Sequence, residues 1–225
     1  MKIIAHIKTD FPTKFGVPRQ SGLIKSAVGK IVFEKEYRDV SAFRGIEEFS
    51  HIWVLWKFSK SSAEKWSPTV RPPMLGGNVR MGVFATRSPY RPNPIGMSAL
   101  KLESIEYTDD FGPVLIVSGC DMIDGTPVFD IKPYLAYTDS ISDATGGFTE
   151  HLKDRTLRVD FPDDLIKKIP SYMRGTVLEI LESDPRPSYQ NDAERIYGFE
   201  FGKFEIKFKV SGKNLTVIST EKSIS

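Results

Sequence analysis

The chain has 225 residues, 40% of them hydrophobic and 27% charged, with a net charge of +2. That length supports a sizeable core in one domain or in a large domain with a small one; no apolar run approaches the roughly 18 residues that cross a bilayer, and no signal-peptide stretch is expected near residue 1. The sole cysteine, Cys120, excludes an internal disulfide and a cysteine-based zinc cluster, and suits a reducing, cytoplasmic setting.

In chain order, residues 3–7 and 29–33 read as short strands between Gly, Pro and Ser punctuation. Residues 38–49 are expected to form one short helix. Residues 51–58 are apolar on both faces, which suits a buried central strand. Further strands are expected at 79–86, 96–103, 114–120 and 126–132. Strands at this density without intervening helices predict a mainly β protein, an antiparallel β-barrel or closed sheet. The polar stretch 138–147 reads as a linker. Beyond it, 163–169 and 171–182 look helical. Pro170 is placed to start the second helix, and Val177, Leu178 and Leu181 give it an apolar face. Alternation through Tyr197, Phe199, Phe201, Phe204, Ile206, Phe208 and Val210 predicts a hairpin with one buried face, turning at Gly202-Lys203. A last strand follows at 215–219. The expected division is a barrel over residues 1–140 and a small C-terminal α+β domain over 148–222.

The charge is unevenly distributed. Residues 11–33 carry Lys14, Arg19, Lys25 and Lys30 with no acid, and residues 57–101 set their Lys and Arg against Glu64 alone. Such a surface can attract a phosphate backbone, or can be merely solvated. In residues 71–96, Arg71, Arg80, Arg87 and Arg91 sit among prolines. Proline fixes φ and restricts the residue before it, so Arg91 and Asn93 are held extended. Stiffly held arginines lose less entropy on binding and offer a planar fork to phosphate or carboxylate. The segment therefore reads as a rigid basic surface for a polyanion. Residues 15–23 (FGVPRQSGL) have the same grammar. Residues 121–134 carry Asp121, Asp124 and Asp130, although Asp124-Gly125-Thr126-Pro127 is also simply a good turn. The dinucleotide and phosphate-loop glycine motifs and the G-x-S-x-G elbow are absent. His6, His51 and His151 lie far apart without metal-ligand spacing, so no metal is expected. Of the three, His51 has the best case as a catalytic group.

Four ordered segments carry a more specific signal: FGVPRQSGL (15–23), FSHIWVLWKF (49–58), RPPMLGGNVRMGVFATRSPYRPNPIGMS (71–98) and DMIDGTPVFDIKPYL (121–135). Together they closely resemble the TsaA-like (TrmO) family of tRNA methyltransferases, and DPRPSY (184–189) extends the match into the C-terminal part. The resemblance implies a non-Rossmann β-barrel that binds S-adenosylmethionine and acts as a homodimer. It implies N6-methylation of N6-threonylcarbamoyladenosine beside the anticodon of threonine tRNAs. By similarity, cofactor contacts fall to Gln20, Ser21, Gly22, Lys60, Ser61, Arg87, Ile123, Asp124, Gly125 and Thr126. The acceptor nitrogen is amide-like and a poor nucleophile, so a nearby base would help. Asp130, Asp124 and Tyr134 are candidates, with His51 behind them. Arg91, Arg80 and Lys132 are candidates for the acceptor's threonyl carboxylate, and Arg71 and Arg19 for phosphates. The residues alone leave two other readings open: an RNA-binding barrel without catalysis, and an S-adenosylmethionine-dependent protein acting on a small molecule.

Overall fold

The computed structural model describes residues 1–59, 66–152, 156–186 and 192–223. Its first strands are β1 (Ala5–Thr9), β2 (Val28–Phe33), β3 (His51–Lys57), the short pair β4 (Thr69–Val70) and β5 (Met81–Gly82), then β6 (Ile95–Thr108), β7 (Gly112–Ser118) and β8 (Pro127–Pro133). All but β4 and β5 close into a barrel in the order β1-β2-β7-β6-β3-β8. Every neighbouring pair is antiparallel. Alternation turns Ile7, Ile31, Ile52, Val54, Leu100, Leu115, Val117 and Val128 inward, where all are fully buried. A barrel this narrow is filled by its own side chains and forms no channel. Two glycines allow that filling. A Cβ on Gly29 would sit 2.7 Å from the Cys120 sulfur, and one on Gly96 would overlap the Trp56 ring.

Only one face of β3 is fully buried, through Ile52, Val54 and Trp56; Trp53 and Leu55 are partly covered. The Trp53 ring leans on Tyr134 at 5.4 Å, and its Nε1 donates to Asp139 at 2.8 Å. Asp139 ends a short helix, α1 (Ala136–Asp139), which takes up the first two residues of the expected linker at 138–147. Two further expectations change. Residues 38–49 form no α-helix but two 3-10 turns, Val40–Phe43 and Ile46–Glu48. The Asp39 side chain accepts from the Ser41 N–H at 2.8 Å, and Gly45 at φ 85° interrupts the run. Residues 79–86 yield only the two-residue β5, paired with β4, followed by a 3-10 turn whose Val83 is buried. Hydrophobic alternation there has no barrel neighbour to pair with, so a two-stranded arm forms instead.

The C-terminal part contains β9 (Arg158–Asp160), α2 (Asp163–Ile166), α3 (Ser171–Glu182), β10 (Tyr197–Phe201), β11 (Phe204–Ser211) and β12 (Asn214–Lys222). The expected hairpin pairs Tyr197 with Phe208 and Phe201 with Phe204. β12 adds antiparallel to β11, and the three-residue β9 pairs parallel to β12. Pro170 caps α3, one residue earlier than a first-turn position. Met173, Val177, Ile180 and Leu181 of α3 join Phe199, Ile206 and Phe208 in one core continuous with the barrel's.

Residues 10–27 run between barrel and C-terminal sheet and are fastened to both. Phe11 meets Phe201 edge-on at 5.2 Å. Gly202 N–H donates to the Asp10 carbonyl at 2.7 Å, and Thr176 Oγ1 donates to the Ser26 carbonyl at 3.1 Å. Gly16, at φ 93°, lies so close to Phe199 that a Cβ would stand 2.7 Å from its ring.

The Gly96–Trp56 contact makes a stability prediction. Overpacking a filled core costs about 1–3 kcal/mol, so Gly96→Ala should lower the free energy of unfolding by that much and perturb Trp fluorescence. Urea denaturation with fluorescence detection reads both; an unchanged midpoint would contradict the packing described.

Candidate active site

A cleft of about 470 Å³ opens at the barrel end where β3 leaves and β6 begins. Trp56 and Phe58 come from the end of β3, and Ile95, Gly96 and Met97 from the start of β6. Val17, Pro18, Arg19 and Gln20 come from the first loop, Thr86, Arg87, Pro89 and Arg91 from the segment before β6, and Asp121, Met122, Ile123 and Thr126 from the turn before β8. Three loops far apart in sequence therefore meet because antiparallel closure brings these strand ends to one rim. The lining is apolar on one side. Its charged residues are Lys14, Arg19, Arg87 and Arg91 with one carboxylate, Asp121, on which the Arg87 charge acts.

That carboxylate is fixed from below. Trp56 Nε1 donates to Ser98 Oγ at 2.9 Å, and Ser98 Oγ donates to Asp121 Oδ1 at 2.6 Å. Burial pushes the Asp121 carboxyl up to about 6, against the opposing pull of Ser98, the backbone N–H groups of Asp121 and Ser21, and the Arg87 charge. Burial pushes the adjoining Cys120 thiol far above its ordinary range as well.

The first loop is held in place around this centre. Arg87 donates to Gln20 Oε1, and Gln20 Nε2 donates to the Arg19 carbonyl at 2.6 Å. Gly22, at φ 76°, donates its N–H to the Gly119 carbonyl at 2.9 Å. Its Cα side is open, with no atom within 4 Å of where a Cβ would stand, so a ligand can approach the backbone there. Arg19 reaches the rim but donates to the carbonyls of Asp184 at 3.0 Å and Arg186 at 2.8 Å. Arg186 in turn is paired with the Asp184 carboxylate at 2.8 Å. Arg91 is braced by the Thr86 and Ser88 carbonyls at 3.0 and 3.4 Å.

The turn at 123–126 divides its residues. Ile123 and Thr126 face the cleft, and Thr126 Oγ1 donates to the Ile123 carbonyl at 2.7 Å. Gly125, at φ 75°, donates its N–H to Ile7. Asp124 is exposed and turned toward β1, accepting from the Thr9 N–H at 3.1 Å with Lys8 Nζ 3.9 Å away. Its charge adds to burial in raising the Asp10 carboxyl.

The other sequence candidates lie elsewhere. His51 begins β3, and at ~3.3 Å per residue it stands roughly 16 Å along the strand from Trp56. Its Nδ1 is 2.9 Å from Ser50 Oγ, and its ring is 6.2 Å from that of Tyr134. Asp130 pairs with Lys132 at 2.9 Å and accepts from the Ile131 N–H. Lys132 and Tyr134 thus follow β8 away from the rim, while Asp130 stands level with Leu55 outside the cleft lining. Arg71 and Arg80 are exposed around the β4–β5 arm, where Arg80 Nε donates to Thr69 Oγ1 at 3.0 Å. Lys60 and Ser61 lie outside the described residues. Sequence reasoning did not single out Ser98 or Lys14, and saw Asp121 only as one acid among three. No local spacing links 98 to 121; only strand closure does.

Among the described residues, no cluster of three or more His, Cys, Asp and Glu could hold a metal ion, and no helix is long and apolar enough to cross a membrane. The model of the tRNA-methyltransferase O N-terminal domain matches residues 6–140, and that of the TrmO C-terminal domain matches 154–223. A tRNA (adenine(37)-N6)-methyltransferase of Escherichia coli is 39% identical over 97% of this chain and 96% of that protein. An S-adenosyl-L-methionine-binding protein of Archaeoglobus fulgidus is 38% identical over 65% of this chain and 96% of its own length. The crystal structure of TrmO from Pseudomonas aeruginosa superposes with a TM-score of 0.78 at 29% identity, covering 97% of each chain.

The raised Asp121 carboxyl makes a second stability prediction. A carboxyl whose folded pKa exceeds its unfolded one contributes stability that is complete below about pH 4 and lost as pH rises through about 6. Asp121→Asn removes that loss. The variant should be more stable than the parent at pH 8, by up to about 3 kcal/mol, and the gap should close by pH 4. Denaturant titrations at the two pH values decide it; a gap independent of pH would contradict the burial argument.

Proposed function

The chain belongs to the tRNA-methyltransferase O family, and from that premise we propose that its cleft uses S-adenosylmethionine to methylate N6 of adenosine 37 in tRNA. The acceptor we infer is N6-threonylcarbamoyladenosine, in threonine tRNAs. The observation that carries this reading is the convergence of Gln20, Arg87, Arg91 and Asp121 on one rim.

The cleft residues suit the cofactor. Its volume of about 470 Å³ is in the range of small-molecule sites. Trp56, Phe58, Ile95 and Met122 offer apolar contact for a flat base, and Gly22 leaves its backbone approachable. Arg87, oriented by Gln20, has further N–H donors for a carboxylate. Ser21, Gly22, Ile123 and Thr126 would frame the ligand, while Asp124 and Gly125 hold the turn to β1. We keep Lys60 and Ser61 as contacts on the resemblance alone. Bound there, the cofactor supplies an electrophilic methyl group on a positively charged sulfur. The protein's own contribution is chiefly positioning. Arg91, braced by two carbonyls, is suited to the threonyl carboxylate, and Arg71, Arg80 and Lys14 to phosphates of the anticodon loop. Arg19 serves the first loop through its bonds to residues 184 and 186.

We further propose that residues 1–140 form the methyltransferase barrel and 148–222 an α+β domain, and that the enzyme is a cytoplasmic homodimer. The exposed apolar side chains of Phe84, Met97 and Tyr90 near the rim support a second copy. Sedimentation equilibrium tests this, and a monomer at micromolar concentration would count against it.

Methyl-labelled cofactor, incubated with tRNA bearing or lacking the threonylcarbamoyl group, tests the reaction. Label should enter the first and not the second; equal labelling of both would defeat the acceptor assignment. Arg91→Ala should lower transfer at least ~10-fold with unchanged cofactor affinity, whereas Arg87→Ala should weaken cofactor binding ~10-fold. Calorimetry separates the two effects. tRNA binding should weaken steeply with salt, because neutralised phosphates release counterions.

A further inference from the structure

We infer that Asp121, held by Ser98 in the cleft lining, accepts the proton that the acceptor nitrogen loses on methylation. The inference rests on the proposed reaction. The N6 nitrogen there carries one hydrogen and a lone pair delocalised into ring and carbonyl. Asp121 accepts that hydrogen as a proton. The nitrogen's electrons form the bond to the methyl carbon, and the pair of the broken carbon–sulfur bond stays on sulfur. The proton then leaves to solvent.

Three observations favour Asp121. It is the one acid among the described cleft residues. Tyr134 and His51 lie at the far ends of β8 and β3, Asp130 beside Leu55 is outside the cleft lining and paired with Lys132, and Asp124 is bonded to Thr9 on the outer side. Its orientation is fixed through two side chains, Ser98 and Trp56, that belong to the barrel rather than to a loop. A positioned base needs that rigidity. Finally, burial raises its proton affinity to about 6, so it is ionised at neutral pH yet more basic than an exposed carboxylate. The groups around it are Arg87, Arg91, Arg19 and Lys14 on the rim and the buried Cys120 thiol beside it. Guanidinium groups keep their charge throughout the working range, and Cys120 is held protonated.

A carboxylate here could instead offset the cofactor's positive sulfur, and the two roles separate experimentally. The reaction is followed at saturating S-adenosylmethionine and saturating tRNA carrying N6-threonylcarbamoyladenosine, from pH 5 to 8. Wild-type kcat should fall on the acid side as Asp121 takes up a proton, with the midpoint of the complex with both ligands. Asp121→Asn should lower kcat about 10²–10⁴-fold while calorimetric cofactor affinity stays within about 3-fold. Ser98→Ala removes a hydrogen bond to the charged form, so the acid limb should move to higher pH. The carboxyl ¹³C resonance that Asp121→Asn abolishes should titrate upward in the same variant, a readout independent of turnover. Weakened cofactor binding with kcat preserved at saturation would make Asp121 a counter-charge and overturn the proposal. So would an Asp121→Asn enzyme with kcat intact, or a Ser98→Ala limb that does not move. Wild-type protein that binds both ligands but labels no tRNA would instead sink the proposed reaction.

Discussion

The Trp56 indole lies against the bare backbone of Gly96, and much of the molecule is arranged around that contact. It fills the barrel end where β3 and β6 part, in a position only glycine permits on the opposing strand. The same ring forms part of the cleft wall. Its one polar atom, Nε1, is satisfied by Ser98, which hands the constraint on to Asp121. A buried indole N–H needs a partner, and here meeting that need orients a carboxylate. Core packing and site geometry are thus a single problem solved by one side chain. The functional acid inherits the stiffness of the barrel although it sits on a loop.

Much of this was legible in the sequence. Strict alternation announced the strands of the barrel and the β10–β11 hairpin, because a side-chain period of two admits no other buried face. It misled at residues 79–86, where alternation is real but only β4 is available as a partner. Gly45 and the Asp39 cap likewise overrode the helical reading of 38–49. At the site, Gln20, Arg87, Arg91, Ile123 and Thr126 came from loop chemistry and resemblance, and they meet on one rim. The orientation of Asp124 could not be read. Its turn is obvious, but which of its four residues faces the cleft depends on where β1 crosses. Ser98 was invisible for a similar reason: a lone serine on a strand becomes informative only when the register sets it over Asp121.

Charge follows a comparable logic. A net charge of +2 conceals a rim where cations outnumber acids. Several of those cations are already engaged, Arg87 with Gln20, Arg91 with two carbonyls and Arg19 with two more. Neutral partners fix a guanidinium without quenching its charge, so Arg87 and Arg91 are oriented yet still attract anions, as the pull of Arg87 on Asp121 shows. Pairing them with carboxylates would have given the same rigidity at the cost of that attraction.

The first loop has a further property that follows from how it is fastened. Gly16 rests on Phe199, and Arg19 is bonded to the carbonyls of residues 184 and 186. These partners lie more than a hundred and sixty positions further along the chain. During synthesis the barrel strands all emerge before any of them exists, and chains fold from the N-terminal side as they appear. The loop that carries Gln20 to Gly22 is bonded to Arg87 and Gly119 as soon as the barrel exists, and gains its remaining braces only when residues 184 to 199 have been made. A half-made chain can own a closed barrel and still lack part of the bracing of its first loop.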